Sequence, residues 1–565
     1  MSTADGIDTV RARAFEIGVA VDPDPALFGR ALAAAALGIA RHPVEGTEVT
    51  LRAGIQLLRA GLAAVNRALG VSTPGPMPVD PKDRRFADPA WDDNAAYYTI
   101  RQLHLILRQY ALALADAAKL DPVAAGKAAM ALDFLADASA PTNFLPTNPA
   151  ALKRAFETGG RSIAWGLRNF ADDLLHNRGR PRQVDRTSFE VGRNMAATPS
   201  KVVYRNDLIE LLQYLPQTDE VHQIPILCSP PWINKYYIMD LAPDRSFIEW
   251  AVRRGHTVFA ISYRNPDKEM ANSGLNDYLI GGLRTALDVV CEITGSDTAH
   301  VVGLCLGGAM TMMTAAHLAK TGDNRIGTIT LLNTMVDFAE PGILGNFTDD
   351  AAVAKLEKKM ARRGYLEGWE MAATFDMLRA NDLIFNYAVS NWLMGETPPA
   401  FDLLAWNADC TRMPAAMHSF YLRSCYVENR FVSGDLKLAG HRLELADVKQ
   451  PMYIVAAITD HIVPWRSSYA TIQYVTGGVR FVLSNGGHIA GVVNPPSSKA
   501  WYLTAEDTAA TPDAWYANTS TTTGSWWEDW AVWAGEHGGP MIDPPRLGSE
   551  VHKVLGDGPG DYVYT

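Results

Sequence analysis

An apolar run, "AHVVGL", ends at Cys305 and gives way at once to "LGGAMTMMTAAHLAKTG", a stretch of helical pattern. Gly303, Cys305, Gly307 and Gly308 therefore write G-x-C-x-G-G between a predicted strand and a predicted helix. The pattern calls for a strand that turns sharply into a helix, with glycine wherever a Cβ would strike neighbouring backbone. Such a turn lifts its apical side chain clear of the sheet. It also sets that side chain beside the unpaired N–H groups of a helix N-terminus, which favour a thiolate. This is the nucleophile-elbow pattern, with cysteine where serine ordinarily stands.

The remaining sequence supplies a sheet to carry the elbow. From about residue 187, short apolar runs each lead into a loop: "IPILCS", "HTVFAISY", "GTITLLN", "PMYIVAAI" and "RFVLSN". Helical stretches separate several of them, as in a mostly parallel sheet with crossover helices. The expected fold class is α/β, an α/β-hydrolase core over residues 187–565 preceded by a helical N-terminal domain over 1–186. Residues 335–450 lie between two of the runs, too many for a loop, and are expected to form an inserted cap over the loop edge of the sheet.

Composition narrows the function. A formal net charge of -11 with no basic face argues against a general nucleic-acid binder. The opening "MSTADGIDTV" lacks the basic start and apolar core of a secretory signal. "ALFGRALAAAALGIARH" is interrupted by Arg30 and too short to span a bilayer, so a cytoplasmic protein is expected. The five cysteines are scattered and odd in number, which disfavours a disulfide framework or a metal site. Cys228, Cys291, Cys410 and Cys425 read as small buried apolar residues. In "LRAGIQLLRAGLAAVNRALG", Leu51, Ile55, Leu58, Leu62, Val65 and Leu69 form one apolar stripe. The plain expectation is a helix docked by that stripe on its own core. The alternative is a stripe resting on a membrane or lipid-like particle.

A triad on this fold needs an acid and then a histidine after the nucleophile, each just beyond a later strand. "PMYIVAAITDHIVPW" puts Asp460 at such a place, and "RFVLSNGGHIAGVV" puts His488 there. His461, beside Asp460, is expected to play a supporting part. The oxyanion hole is expected to use the backbone N–H of Leu306, after the nucleophile, and one within Trp232–Asn234, with Asn234 the first candidate, because Pro230 and Pro231 cannot donate. Trp526, Trp530 and Trp533 lie at helical spacing and are expected to pack the core.

A thiol suits an acyl donor that is itself a thioester. Exchange of one thioester for another is nearly balanced, and the acyl group stays activated until an alcohol takes it to form a more stable oxoester. Water must be kept out meanwhile, which a cap would do.

These residues sit within longer segments, including "DRRFADPAW", "PTNFLPTNPAALKRAFETGG", "FEVGRNMAATP", "PPWINKYYIMDL", "FDLLAWNADCTRMP", "GGHIAGVVNPP", "GSWWEDW" and "GDGPGDYVYT". Along nearly its whole length the chain resembles the polyhydroxyalkanoate synthases, bacterial polyester polymerases. "GHIAGVVNPP" and "DHIVPW" resemble the short-chain class I more than the medium-chain class II. The resemblance implies Cys305 as acyl-carrying nucleophile, His488 as base, Asp460 as third member, and (R)-3-hydroxyacyl-CoA as substrate, with no separate cofactor. It implies a homodimer at the surface of a polyester granule, with the N-terminal domain involved in granule contact. The rival expectations are an acyl-CoA thioesterase on the same fold and a granule-bound structural protein without activity. Left open by the sequence are the residues that bind the coenzyme A phosphates, the acyl chain length, priming, and whether Asp460 helps His488 activate the substrate hydroxyl. Lys235 lies near the oxyanion loop but reads equally as a surface charge.

Overall fold

The computed structural model describes residues 25–565, so the N-terminal stretch read above for a signal lies outside the described residues. The chain gathers into two compact units. One runs up to Arg186 and also takes in Glu370–Phe401; the other comprises Thr187–Trp369 and Asp402–Thr565.

The first unit is helical: α1 (Pro25–Arg41), α2 (Pro43–Ala68), α3 (Ala95–Ala117), α4 (Pro122–Ala138), α5 (Pro149–Glu157) and α6 (Arg161–His176). Pro43, Pro122 and Pro149 open their helices, where a missing N–H does no harm. Asn94, Asp121 and Asn148 cap the following helices with side-chain oxygens. Helix α2 departs from the plain expectation. Its six-residue apolar stripe, Leu51 to Leu69, is 52–75% exposed, and the helix docks through Gly46, Ala53, Ala60 and Ala63 instead. Small residues let α2 approach α3 closely enough for Gln56 to donate to Gln109 at 3.0 Å. Arg67 leaves the solvated face to lie over the Tyr98 ring, 4.1 Å from its centre.

Glu370–Phe401 belongs to this unit because of how it meets α6. The backbone of Trp392 comes so near Gly166 that a Cβ there would lie 1.9 Å from the Trp392 carbonyl oxygen. The Trp392 indole donates to the buried Asp173 carboxylate at 2.8 Å and meets Phe170 edge-on at 5.1 Å. The expected cap over 335–450 is therefore not one block. Its middle packs with the helical unit, because a glycine on α6 leaves room for backbone and Asp173 needs a donor.

The second unit is built on a sheet of twelve strands. They are β1 (Ser200–Arg205), β2 (Ile209–Tyr214), β3 (Val221–Ser229), β4 (His256–Tyr263), β5 (Ala299–Leu304), β6 (Ile326–Leu332), β7 (Met452–Ala457), β8 (Val479–Ser484), β9 (Trp501–Thr504), β10 (Ser520–Thr523), and the two-residue β11 (Met541–Ile542) and β12 (Gly556–Asp557). The order is β10-β9-β8-β7-β6-β5-β3-β4-β2-β1-β12, with β11 on the edge of β3's start. From β8 to β4 all pairings are parallel, and the flanking pairings are antiparallel. Strands β4, β5 and β7 are buried on both faces, which explains their unbroken apolar runs. Helix α7 (Leu306–Thr321) follows β5, and α8 (Trp526–His537) closes the fold. Trp526, Trp527 and Trp530 of α8 are almost wholly buried, and the half-buried Trp533 meets Tyr453 in a tilted contact at 5.4 Å. Among the described residues, no helix is long and apolar enough to cross a membrane.

Candidate active site

Cys305 occupies the junction between β5 and α7 with φ 52° and ψ −114°. A residue with a Cβ reaches that conformation only under strain, at a cost of about 1–3 kcal/mol. Four hydrogen bonds impose it. The Cys305 N–H donates to Leu332 O at 2.8 Å, and Cys305 O accepts from Gly308 N–H at 3.0 Å, Ala309 N–H at 3.1 Å and the Thr334 hydroxyl at 3.2 Å. The glycines are required by space. A Cβ on Gly303 would lie 2.5 Å from Gly308 Cα, and one on Gly308 would lie 2.0 Å from Thr334 Oγ1. A Cβ on Gly307 would lie 1.9 Å from Ser229 O.

Asp460 follows β7 and His488 follows β8, the neighbouring strand on the same sheet edge. His488 Nδ1 and Asp460 Oδ2 are 2.7 Å apart. The other carboxylate oxygen of Asp460 accepts the N–H groups of Ile462 at 2.8 Å and Val463 at 2.9 Å. The Asp460 side chain is fully buried and that of His488 nearly so. Burial acts to lower the His488 pKa, but the Asp460 charge, then that of Cys305, and hydrogen bonds to both outweigh it. The imidazole is held well above its ordinary range, and both members of the expected triad face it. His488, not His461, is the imidazole that Asp460 orients.

The loop bearing His488 is braced from several sides. Gly486 turns the chain with φ 106°, and the Asn333 amide donates to His488 O. The indole N–H groups of Trp526 and Trp527 donate to Gly491 O at 2.8 Å and Val492 O at 2.9 Å. These contacts give the tryptophans a positioning task besides core packing. Asn333 and Thr334 went unread in the sequence; their only signal is the "NT" that follows a strand neighbouring the elbow.

The expected oxyanion donors fare differently. Leu306 is the first residue of α7, where a helical N–H has no intrahelical acceptor. Asn234 is corrected: its N–H donates to Thr411 Oγ1 at 2.7 Å, so it is already engaged. Within the Trp232–Asn234 turn, Trp232 and Ile233 remain as backbone donors. Lys235 is not a surface charge. It is buried, burial lowers its pKa, and its ammonium donates to Thr565 O at 2.6 Å and Tyr562 O at 3.3 Å.

Aromatic side chains from the cap segments wall the site, which the sequence reading also missed. Tyr421 meets Trp232 edge-on at 5.7 Å, and Phe338 meets Tyr426 at 4.8 Å. Burial, with smaller contributions that include the Cys305 charge, raises the pKa of both Tyr421 and Tyr426, so these hydroxyls stay neutral beside the thiol. Of the other cysteines, Cys228 and Cys425 are buried, as expected, while Cys291 and Cys410 are only half-buried. Burial pushes the Cys425 thiol up to about 12 and that of Cys291 up to about 11. Protonated thiols of that kind are poor nucleophiles.

The family model described as the poly-beta-hydroxybutyrate polymerase N-terminus matches residues 82–251, and that of the alpha/beta hydrolase fold matches 227–495. A poly(3-hydroxyalkanoate) polymerase subunit PhaC of Rhizobium meliloti is 42% identical over 88% of this chain and 82% of its own length. The chain belongs to the poly(3-hydroxyalkanoate) polymerase family. The PhaC subunit of Cupriavidus necator is 41% identical over 85% of this chain and 83% of its own. Poly(3-hydroxyalkanoate) polymerase 1 of Ectopseudomonas oleovorans is 38% identical over 99% of both chains. As a polymerase of this family, the chain is an acyltransferase on an α/β-hydrolase fold, with the helical region of its N-terminus ahead of the hydrolase domain.

Proposed function

We propose that the chain polymerises (R)-3-hydroxyacyl-CoA, of short acyl chain, into polyester through a thioester on Cys305. The observation that carries this reading is the strained Cys305 turn on the sheet edge that also presents the 2.7 Å Asp460–His488 pair. The Cys305 thiol gives its proton to His488 Nε2 and attacks the thioester carbonyl. The oxyanion forms against the Leu306 N–H and an N–H of the Trp232–Ile233 turn. The carbonyl re-forms, the bond to the coenzyme A sulfur breaks, and the imidazolium returns the proton to that thiolate. In the second half, His488 takes the proton of a 3-hydroxyl as its oxygen attacks the enzyme thioester. An oxoester forms and Cys305 leaves as a thiol.

His488 serves both halves in this scheme. Asp460 is fully buried, with one oxygen on His488 and the other on two N–H groups, so it orients and stabilises the imidazolium and does not reach substrate. The aromatic wall of Trp232, Phe338, Tyr421 and Tyr426 supports exclusion of water from the thioester. For partners, the exposed apolar stripe on α2 supports contact of the helical unit with a polyester granule. A homodimer in the cytoplasm is the assembly the family resemblance implies.

The test is purified protein with (R)-3-hydroxybutyryl-CoA, following free thiol and insoluble polyester in one tube. The expected result is thiol release matched by polyester, abolished in a folded Cys305→Ala variant. Thiol release with only free 3-hydroxybutyrate would replace this reading with a thioesterase. No release from this or a longer-chain substrate would replace it with an inactive granule protein.

A further inference from the structure

The Asn234 N–H is held by a hydroxyl that also grips the chain two residues earlier. The Thr411 hydroxyl accepts from Asn234 N–H at 2.7 Å and donates to Trp232 O at 3.2 Å. One buried hydroxyl thus grips the chain on both sides of Ile233 and closes the turn into a ring. The turn needs holding. Asn234 has φ 63°, a left-handed conformation that a non-glycine residue keeps only under restraint. Pro230 and Pro231 ahead of it fix the approach but can donate nothing.

Two further bonds join the same segments outside the turn. Trp406 Nε1 donates to Lys235 O at 2.8 Å, and the Tyr237 hydroxyl donates to Asp409 at 2.9 Å. They dock the 406–411 segment whether or not Thr411 has a hydroxyl. Among the described residues, the Thr411 bonds are the side-chain bonds that lie within the turn itself, so their loss alters its shape without detaching it.

We propose that Thr411 is a positioning residue for acyl transfer, the clamp that sets the Trp232–Asn234 turn so that its free N–H groups meet the oxyanion formed at Cys305. This rests on the reading of Cys305 as the acylated nucleophile. Thr411 touches neither substrate nor thiol in this role. It acts through the backbone it holds.

The test compares Thr411→Val, which keeps the shape and removes the hydroxyl, with Thr411→Ser, which keeps the hydroxyl. In thiol release from (R)-3-hydroxybutyryl-CoA, the valine variant is expected to lose about 10- to 100-fold in kcat, short of the loss of a whole oxyanion donor. Its KM should stay within about threefold, and serine should restore kcat to within about threefold of the parent, since only the hydroxyl makes the bonds. Alkylation of Cys305 by iodoacetamide, which forms no oxyanion, should proceed at the parent rate in both. Parental kcat in the valine variant would overturn the proposal. So would equal loss in the serine and valine variants with a lowered thermal midpoint, which marks packing alone. Slowed alkylation in the valine variant would move the effect to the thiol–imidazole pair and overturn it too. Failure of the nucleophile reading is read separately, as turnover that survives Cys305→Ala.

Discussion

Gly307→Ala sets two opposed effects against each other at one position. Gly307 lies in the first turn of α7, and alanine in a helix is favoured over glycine by about 1 kcal/mol. Propensity alone therefore predicts a more stable protein. The added Cβ, however, would stand 1.9 Å from Ser229 O and 2.6 Å from Pro230 O. Real Cβ atoms essentially never come within 3.0 Å of such atoms, so the turn and the end of β3 must part by more than about 1 Å. Both obstructing atoms are backbone, and no rotamer change can relieve them. Overpacking of this kind destabilises by about 1–3 kcal/mol, enough to cancel the propensity gain and leave a net loss of up to about 2 kcal/mol. The larger effect falls on catalysis. Leu306 N–H sits one residue away, and a shift of about 1 Å takes it out of reach of the oxyanion, for a loss of about 10²–10³ in kcat. Thiol release from (R)-3-hydroxybutyryl-CoA reads the rate, and thermal unfolding reads the stability. Parental kcat together with a lowered melting temperature would refute the part assigned to Leu306. Parental values of both would refute the steric argument itself.

Asp460→Asn keeps an oxygen for the Ile462 and Val463 N–H groups but turns an amide N–H toward His488 Nδ1. That fixes the wrong tautomer, and kcat in the same assay should fall by about 10³–10⁴ with the fold retained. Burial holds His256 at about 3 and His300 and His418 at about 4, all below the value of an unfolded histidine. The unfolded chain therefore binds protons first, and stability of the second unit should fall as pH drops from about 6.5 toward 4, by about 1.4 kcal/mol per pH unit for each histidine. His488, raised in the fold, works in the opposite sense only above that window, where its contribution is lost as pH rises through its folded value. Urea midpoints at pH 7, 6 and 5 check this; equal midpoints would refute it.

The elbow, the order of its partners and the sheet that carries them were legible because each depends on local pattern. Glycines flank a turn that admits no Cβ, and apolar runs mark strands buried on both faces. What the sequence hid depends on distant chain. The apolar stripe of α2 has the right period for a buried face, but the small residues Gly46, Ala53, Ala60 and Ala63 are the ones buried, Gly46 against Ile39 of α1, and periodicity cannot rank two faces by the shape of an unseen neighbour. Asn234 looked free because its acceptor, Thr411, lies 177 positions away. Lys235 looked solvated because the carbonyls that hold it belong to residues 562 and 565. Tyr421 and Tyr426 carry no motif and reach the site only through the fold of the insert.

The braces on the His488 loop bear on how the protein is made. Cys305, Asp460 and His488 are all made before Trp526 and Trp527, whose indoles hold the carbonyls of Gly491 and Val492. The carbonyls that hold Lys235 are made later still. A nascent chain thus carries Cys305 and His488 for some time with neither loop secured. A chain interrupted before Trp526 therefore has Cys305, Asp460 and His488 without the bonds that brace the His488 loop and Lys235.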